Sequence, residues 1–375
     1  MTNPGETFDV VIIGAGIVGA ACADEFARRG LQVMVIDREV IGGGATAAGM
    51  GHIVVMDDSE AQFALTRYSQ RLWQALRPEL PDDVEYEQCG TIWVAADEEE
   101  MAEVYRKHEY YSARGVATEV VDATKLKQIE PNLRDGMTGG LLVLEDAVLY
   151  PPCAARFLIE RAMRTGAKMR SGAVTQISEG RIALSDGTEV RAKIIVNATG
   201  ADAPTLTPGV EIKKRKGHLV ITDRYAGFLR HQLVELGYLK SAHSVASDSV
   251  AFNAQPRRTG QILIGSSRQF GAEHTEADQA ILTRMLQRAQ EYMPALGMMS
   301  AVRTWTGFRA ATPDKLPLIG PSKDRTVFLA TGHEGLGITT SLGTARILVD
   351  QVTGAKPEIP IEPYLPNRSV KEHAH

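Results

Sequence analysis

The residues that most constrain the fold of this chain lie near its start, where a strand, a glycine turn, a helix and a second strand end at an acid. Residues 8–13 (FDVVII) are typical of a parallel strand buried on both faces. They lead into residues 14–19 (GAGIVG), a helix that Gly30 closes, a strand at 31–36 and then Asp37. This order predicts a βαβ unit with a phosphate-binding turn.

Each glycine of the turn has a physical role in that prediction. Gly14 permits a tight turn, Gly16 lets a pyrophosphate approach backbone N–H groups, and Gly19 lets the helix pack closely. Asp37 is placed to accept hydrogen bonds from an adenosine ribose. A purely structural glycine turn would need neither the flanking strands nor the acid, so we expect a dinucleotide site.

Two more apolar strands run into glycine-rich turns further along the chain. The first strand, at 193–200, follows a predicted hairpin at 181–190 with Asp-Gly at its turn. The second strand, at 327–332, leads into a loop at 333–340 and a helix at 341–352. If these strands lie beside the first, their carboxyl ends form one crevice. The loop at 41–52 consists mostly of small residues, and we expect it to be too flexible for a core element and suited to approaching a flat ring system.

With these pieces the chain resembles, over nearly its whole length, the FAD-dependent amino-acid oxidoreductases of the D-amino-acid oxidase, glycine oxidase and sarcosine oxidase family. Residues 14–37, 194–200, 307–320 and 330–340 carry the resemblance. The loop at 44–58 most resembles the flavin subunit of bacterial D-hydroxyproline dehydrogenase, which is similar to the flavin subunits of hydrogen cyanide synthase and of opine oxidases. The resemblance implies a Rossmann-like α/β FAD-binding domain with an interleaved antiparallel-sheet substrate domain, α+β overall.

The resemblance also implies which residues hold FAD. A helix starting near Thr339 would direct its positive end at the flavin N1 and O2 atoms. Ala311 stands where sarcosine oxidases carry the cysteine that bonds the flavin, so we expect non-covalent FAD. The implied cofactor-binding residues are Gly14, Gly16, Ile17, Val18, Gly19, Asp37, Arg38, Ala45, Thr46, Gly49, Met50, Gly51, Val174, Ala198, Thr199, Gly200, Gly307, Arg309, Gly335, Leu336, Gly337, Ile338 and Thr339.

Three residues are candidates for substrate chemistry. Arg309 matches the family's carboxylate-binding arginine, whose planar guanidinium can make two parallel hydrogen bonds. His52 and His333 lie in the glycine-rich loops and could polarise the ring or accept a substrate proton, or could serve only as turn residues. We expect His218 to be structural, and the sequence leaves open whether Glu334 holds a loop or a substrate amine.

The nucleotide-binding signals divide the chain into interleaved parts, since its 375 residues exceed what one core usually holds. Residues 1–85, 140–212 and 305–375 are predicted to form the FAD-binding domain. Residues 86–139 and 213–304 are predicted to form the substrate domain, because strands at 90–95 and 261–265 and a helix at 276–293 indicate an antiparallel sheet with a helix packed on it.

Composition excludes several other classes of protein. A net charge of −5 gives no general attraction to nucleic acid, and the basic run at 213–216 is typical of a solvated strand edge. Three separated cysteines offer neither a disulfide framework nor a metal site. No signal segment or membrane span is evident, so we expect a cytoplasmic protein without an integral membrane segment.

The leading functional hypothesis is FAD-dependent oxidation of a D-amino acid or cyclic secondary amine by hydride transfer to flavin N5. The expected substrate is cis-4-hydroxy-D-proline, which would become 1-pyrroline-4-hydroxy-2-carboxylate, with electrons passing to a partner subunit or a quinone-type acceptor. The alternatives are an oxygen-using oxidase of glycine, sarcosine or an opine, and a flavin subunit that is active only within a hetero-oligomer.

Overall fold

The computed structural model describes residues 7–237, 248–323 and 325–368. Within these ranges the strands, in chain order, are β1 (Thr7–Ile13), β2 (Val33–Asp37), β3 (His52–Ile53), β4 (Thr91–Ala95), β5 (Thr118–Asp122), β6 (Gly139–Val143), β7 (Ala147–Val148), β8 (Lys168–Ser171), β9 (Val174–Ser178), β10 (Arg181–Leu184), β11 (Glu189–Asn197), β12 (Lys213–Thr222), β13 (Gln232–Glu235), β14 (Ser249–Pro256), β15 (Ile262–Phe270), β16 (Ala301–Ala311), β17 (Leu318–Pro321) and β18 (Phe328–Thr331).

The helices in the same ranges alternate with these strands. They are α1 (Ile17–Arg28), α2 (Gly44–Ala47), α3 (Glu60–Leu76), α4 (Glu98–Ser112), α5 (Ala123–Ile129), α6 (Pro151–Arg164), α7 (Ala203–Leu206), α8 (Gln279–Tyr292) and α9 (Gly337–Thr353). None of the helices described is long and apolar enough to cross a lipid bilayer.

The first sheet contains the strands that were predicted to carry the nucleotide. Its order is β17-β18-β11-β1-β2-β8, and β1 runs parallel to both β11 and β2. Val10 and Ile12 of β1 pack in the same core as α1, α6 and α9, whereas Val11 and Ile13 pack in a second core on the opposite face. Burial on both faces explains why this strand reads as a continuous apolar run.

The predicted crevice is confirmed, because β1, β11 and β18 are parallel neighbours and their carboxyl ends meet at one sheet edge. The Asp-Gly hairpin is also confirmed: β10 pairs with β11 across a turn in which Gly187 has a φ of +80°. The strand predicted separately at 193–200 was placed three to four residues too far along the chain. It is the continuation of the second hairpin strand, since β11 runs unbroken from Glu189 to Asn197.

The second sheet is the larger antiparallel layer, with the order β16-β12-β15-β14-β13-β4-β6-β5. Only its β4–β13 pair is parallel among the pairs described. Helix α8 covers one face, where Phe252 stacks on Tyr292 with ring centroids 4.6 Å apart. The helix predicted at 276–293 is therefore confirmed, three residues shorter at its start.

The predicted domain boundaries stay a prediction, and two strands cross them. Residues 140–143 were assigned to the nucleotide part, but β6 pairs with β4 and β5 in the second sheet. Residues 305–311 were assigned likewise, but β16 pairs along its length with β12. Pairing between distant strands decides these memberships, and no local pattern records it.

The interpretation of residues 213–216 as a solvated strand edge was wrong. Strand β12 lies inside the sheet, between β16 and β15. Lys213 and Lys214 are exposed, but Lys216 is fully buried and its Nζ donates a hydrogen bond to the Glu276 carbonyl oxygen. Alternation along a strand places Lys216 on the opposite face from Arg215.

Candidate active site

The glycine turn after β1 is as compact as its sequence predicts. Gly14 has a φ of +109°, and a Cβ there would lie 2.6 Å from the Ala198 carbonyl oxygen. A Cβ on Gly19 would lie 1.9 Å from the Gly14 carbonyl oxygen. Asp37 accepts a hydrogen bond from the Ala15 N–H at 2.5 Å, so the predicted ribose-binding carboxylate lies beside the turn. A side chain at Gly14 or Gly19 would overlap a backbone carbonyl oxygen and force the turn apart.

Helix α1 begins in a way that suits an anion. Gly16 is its N-cap in extended conformation, with no side-chain cap and no acidic residue in the first turn. The positive end of the helix is therefore not offset by a carboxylate of its own. One first-turn donor, the Ile17 N–H, is taken by Thr46 Oγ1 at 3.0 Å.

The loop at 41–52 contains one turn of helix. This turn, α2, runs from Gly44 to Ala47, and only Thr46 in it is buried, so it is not a core element. A Cβ on Gly49 would lie 2.7 Å from Ile338 Cδ1, so the loop packs on the start of α9. Arg38, a predicted cofactor residue, is exposed and paired with Asp202 at 2.9 Å.

The end of β11 is tied to its neighbouring strands. The Ala198 N–H donates to the Ile13 carbonyl oxygen at 2.9 Å, and Thr331 Oγ1 donates to the Gly200 carbonyl oxygen at 2.8 Å. Thr199 is held by Asn197, whose Oδ1 accepts from the Thr199 hydroxyl at 2.7 Å. Val174 opens β9, two residues after the Gly172 N–H donates to the Asp37 carbonyl oxygen at 2.8 Å. The predicted cofactor-binding residues Val174, Ala198, Thr199 and Gly200 therefore lie along one edge of the first sheet.

Helix α9 begins at Gly337, four residues earlier than the predicted start at 341. Like α1, it has no side-chain cap and no acidic residue in its first turn. Trp73 Nε1 donates to the Ile338 and Thr339 carbonyl oxygens at 3.2 and 3.1 Å. Thr339 Oγ1 donates to the His52 carbonyl oxygen at 2.8 Å, which joins the two predicted flavin loops.

Arg309 lies on β16 and reaches back across the second sheet. Its Nη1 donates to the Ser267 carbonyl oxygen on β15 at 2.9 Å. A Cβ on Gly217 would lie 2.6 Å from that Nη1, so the guanidinium rests on the bare backbone of β12. On its other side, a Cβ on Gly335 would lie 3.6 Å from Arg309 Nε. Gly217 of the second sheet and Gly335 of the loop after β18 therefore both border the Arg309 side chain.

His52 lies at the junction of the two sheets with a buried imidazole. Its Nε2 has no hydrogen-bond partner among the described residues. Burial, together with the nearby positive charge of Arg309, lowers the pKa of His52 to about 4. The ring is consequently neutral near pH 7 and has a nitrogen available to a ligand.

His333 has a different environment from His52. Its Nε2 is 2.9 Å from Thr344 Oγ1 of α9, and burial lowers the pKa of His333 to about 3. Its neighbour Glu334, which the sequence left open, forms an ion pair with Arg215 Nη1. Glu334 adopts a φ of +52° there, and its N–H donates to the Ala310 carbonyl oxygen at 3.0 Å. Glu334 thus holds the loop to the second sheet.

Several site residues were missed by sequence reasoning. Gly217, Ser267 and Gln255 all contact predicted site residues, and Gln255 Nε2 donates to the Met50 carbonyl oxygen at 2.7 Å. Of these only Gly217 had a local signal, because a glycine within a strand often marks a close approach of another group. The other two became visible only when the strands paired.

The site fits a dinucleotide with a flat ring at one end. The N-termini of helices α1 and α9 lie side by side at this crevice, since a Cβ on Gly337 of α9 would lie 4.0 Å from Val18 Cγ2 of α1. These ends suit a pyrophosphate and a ring that gains negative charge. His52, whose Nε2 has no hydrogen-bond partner among the described residues, lies close enough to Arg309 for that positive charge to lower the pKa of its imidazole.

The family model described as FAD dependent oxidoreductase matches residues 9–351. The chain belongs to this family of FAD-dependent oxidoreductases. Hydrogen cyanide synthase subunit HcnC of Pseudomonas aeruginosa is 27% identical over 427 residues, covering 98% of each chain. Glycine oxidase of the same organism is 29% identical, covering 95% of this chain and 98% of that protein.

The fold of this FAD-dependent oxidoreductase is that of solved relatives. The crystal structure of L-proline dehydrogenase from P. horikoshii superposes with a TM-score of 0.87 at 25% identity, covering 96% of this chain and 97% of the other. The predicted α/β fold with a nucleotide layer and an antiparallel layer is confirmed, and so is FAD as the cofactor.

Proposed function

We propose that this protein oxidises the C–N bond of a small amino acid and that its substrate is cis-4-hydroxy-D-proline. The α-carbon would lose a hydride and the nitrogen a proton, leaving the imine 1-pyrroline-4-hydroxy-2-carboxylate. When bound, FAD supplies the hydride acceptor at its N5 atom. The observation that carries the proposal is the guanidinium of Arg309, held over Gly217 at the meeting of the two sheets.

Arg309 would bind the substrate carboxylate. Its guanidinium is planar and can present two parallel N–H groups to a carboxylate. One nitrogen is already fixed by the Ser267 carbonyl oxygen at 2.9 Å, which limits rotation of the group. A fixed cation at one end of a small substrate determines which carbon faces the flavin.

His52 would contact the substrate nitrogen or the flavin rather than act as a cation. Its lowered pKa of about 4 keeps the ring neutral, and a neutral imidazole can accept a hydrogen bond at one nitrogen. For His333 the hydrogen bond to Thr344 already occupies Nε2, so we propose a catalytic role for His52 ahead of His333.

A polar acceptor pair supports a hydroxylated substrate. Asn253 lies opposite Gly265 in the β14–β15 pair, and a Cβ on Gly265 would lie 3.2 Å from Met50 Sδ, which places Asn253 on the site-facing side. Among the described residues, Asn253 Oδ1 and Gln255 Oε1 are buried without a hydrogen-bond partner. A ring hydroxyl has one hydrogen and can satisfy one of these acceptors, whereas an unsubstituted proline ring would satisfy neither.

The similar proteins support the same reaction class. Their names include glycine oxidase, D-amino acid dehydrogenase and L-proline dehydrogenase, whose substrates are amino acids. HcnC is named as a subunit, which supports assembly of this chain with a partner subunit. Ala311 is buried at the end of β16 and has no nucleophile, which supports non-covalent FAD.

One experiment tests the proposal directly. Anaerobic bleaching of the flavin would be measured against cis-4-hydroxy-D-proline, D-proline, glycine, sarcosine, an opine and L-amino acids. We expect the fastest bleaching with cis-4-hydroxy-D-proline. Stoichiometric peroxide release in air would favour the oxygen-using oxidase, and bleaching that needs a co-expressed partner would favour an obligate subunit.

The matched variants are Arg309→Met and Arg303→Met, both on β16. Arg303 is exposed and contacts the Trp305 ring, so it controls for loss of a charge on this strand. We expect Arg309→Met to keep FAD and to weaken substrate binding by about 100-fold, the usual scale for removing one member of a buried charge pair. Equal substrate binding by the two variants would contradict the assignment of Arg309.

A further inference from the structure

Arg309 owes its position to two strands other than its own. The Ser267 carbonyl oxygen on β15 accepts from Nη1, and the backbone of Gly217 on β12 lies beneath the guanidinium. The next residue on β12 is His218, which is 1% exposed. Its side chain therefore lies on the opposite face of the sheet from Arg309.

His218 binds the same serine that holds Arg309. The His218 backbone N–H donates to Ser267 Oγ at 2.9 Å, and its Nδ1 lies 2.8 Å from the same oxygen. The Ser267 hydroxyl therefore forms hydrogen bonds with His218, while the Ser267 carbonyl oxygen accepts a hydrogen bond from Arg309. Because its hydroxyl accepts from both the backbone and the ring of His218, Ser267 is restrained on the side opposite to its carbonyl oxygen, which limits how far that oxygen can shift.

The orientation of the His218 ring is fixed from its far side. The Asp278 backbone N–H donates to His218 Nε2 at 3.0 Å, so Nε2 is the acceptor and Nδ1 carries the hydrogen. Asp278 is itself the N-cap of α8 and accepts from the Ala280 and Ile281 N–H groups. The start of α8 therefore determines which nitrogen faces Ser267.

We propose that His218 is a positioning residue, which acts through Ser267 to hold the Arg309 guanidinium where a substrate carboxylate binds. The proposal rests on the proposed function of Arg309. It differs from a purely structural role, in which His218 would only help β12 and β15 pack together. A structural role predicts that removing His218 weakens every ligand equally, whereas a positioning role predicts a selective loss for ligands that carry a carboxylate.

Two planar probes separate these roles. Pyrrole-2-carboxylate resembles the imine product, and pyrrole-2-carboxamide has the same shape without the charge. Calorimetry on the FAD-loaded protein would give the ratio of their dissociation constants, a readout that does not depend on turnover. The variants are His218→Ala, His218→Asn and Ser267→Ala, with Val220→Ala as the control, since Val220 is buried on β12 and packs toward α8.

We expect His218→Ala and Ser267→Ala each to lower the preference for the carboxylate by about tenfold, the scale of one hydrogen bond to a charged group. The double variant should lose little more than Ser267→Ala alone, because both act through one contact. His218→Asn should restore most of the preference, since its Nδ2 can donate to Ser267 as Nδ1 does. Val220→Ala should lower stability without changing the preference.

Failure of this inference can be told from failure of the proposed function. If Arg309→Met abolishes the preference for the carboxylate but His218→Ala leaves it unchanged, then Arg309 binds the carboxylate and the role of His218 is overturned. If Arg309→Met itself leaves the preference unchanged, the proposed function is wrong at its first step. Equal weakening of both probes by His218→Ala also overturns the positioning role.

Discussion

Gly217 shows how a single residue determines the position of the main charge in the site. Its missing side chain leaves the space that the Arg309 guanidinium occupies, with only 2.6 Å between Nη1 and the place of a Cβ. Real side chains do not approach so closely, so an alanine there must displace the arginine. Because Arg309 is also held by Ser267, displacement would break that hydrogen bond.

We therefore expect Gly217→Ala to raise the dissociation constant for the substrate at least tenfold while FAD stays bound, since a charged hydrogen bond is lost. Titration of flavin absorbance with substrate under anaerobic conditions measures both quantities. Gly297→Ala is the matched control, because its Cβ would meet only the flexible end of Gln290, 3.0 Å away. An unchanged affinity in Gly217→Ala would show that the guanidinium can shift without loss.

At the scale of elements, a small pair of strands holds His52 between the two sheets. Strand β3 pairs with β7, and Asp146 lies immediately before β7. Asp146 Oδ1 accepts from Gln70 Nε2 of α3 at 2.8 Å and from the Val55 N–H at 3.3 Å. One buried carboxyl thus joins a helix, a turn and the segment that follows His52.

Burial raises the pKa of Asp146 to about 7, so the fold favours the protonated form. Its contribution to stability is fully present below the ordinary pKa near 3.8 and is lost as the pH rises toward 7. Asp146→Asn keeps the acceptor without the charge, and we expect it to raise the free energy of unfolding at pH 8 by about 4 kcal/mol, with little change at pH 4.

Urea unfolding of the two proteins at both pH values measures that difference. The control is Asp97→Asn, since Asp97 is the N-cap of α4 and asparagine caps a helix equally well. A gain that is the same at both pH values would mean that ionisation of Asp146 does not cause it.

At the scale of the whole molecule, two neutral histidines lie in the region where the layers meet. The pKa of His52 is lowered to about 4 and that of His333 to about 3, in both cases mainly by burial. In the unfolded chain these histidines have their ordinary pKa of 6.5 and bind protons below it, whereas in the folded protein they stay neutral. The free energy of unfolding therefore falls as the pH drops below 6.5. At pH 5 each histidine is expected to cost about 2 kcal/mol relative to pH 8.

His333→Gln removes one titrating group and can keep the hydrogen bond to Thr344. We expect the loss of unfolding free energy between pH 8 and pH 5 to be about 2 kcal/mol smaller in this variant. Denaturant unfolding at the two pH values checks this. His274→Gln, at a surface position, should behave like the unchanged protein, and an identical pH dependence in His333→Gln would contradict the expected role of burial.

The sequence by itself determined the nucleotide layer, because strand, turn and helix signals there are local and glycine placement has a direct steric meaning. Gly14, Gly19 and Asp37 meet in the structure as their spacing predicts. Only the tertiary structure decided how the substrate layer completes the site. The contact of Arg309 with Ser267, the bare backbone of Gly217 and the burial of Lys216 depend on which strands pair and in which register. Register is set by packing over the whole sheet, so no local pattern along the chain records it.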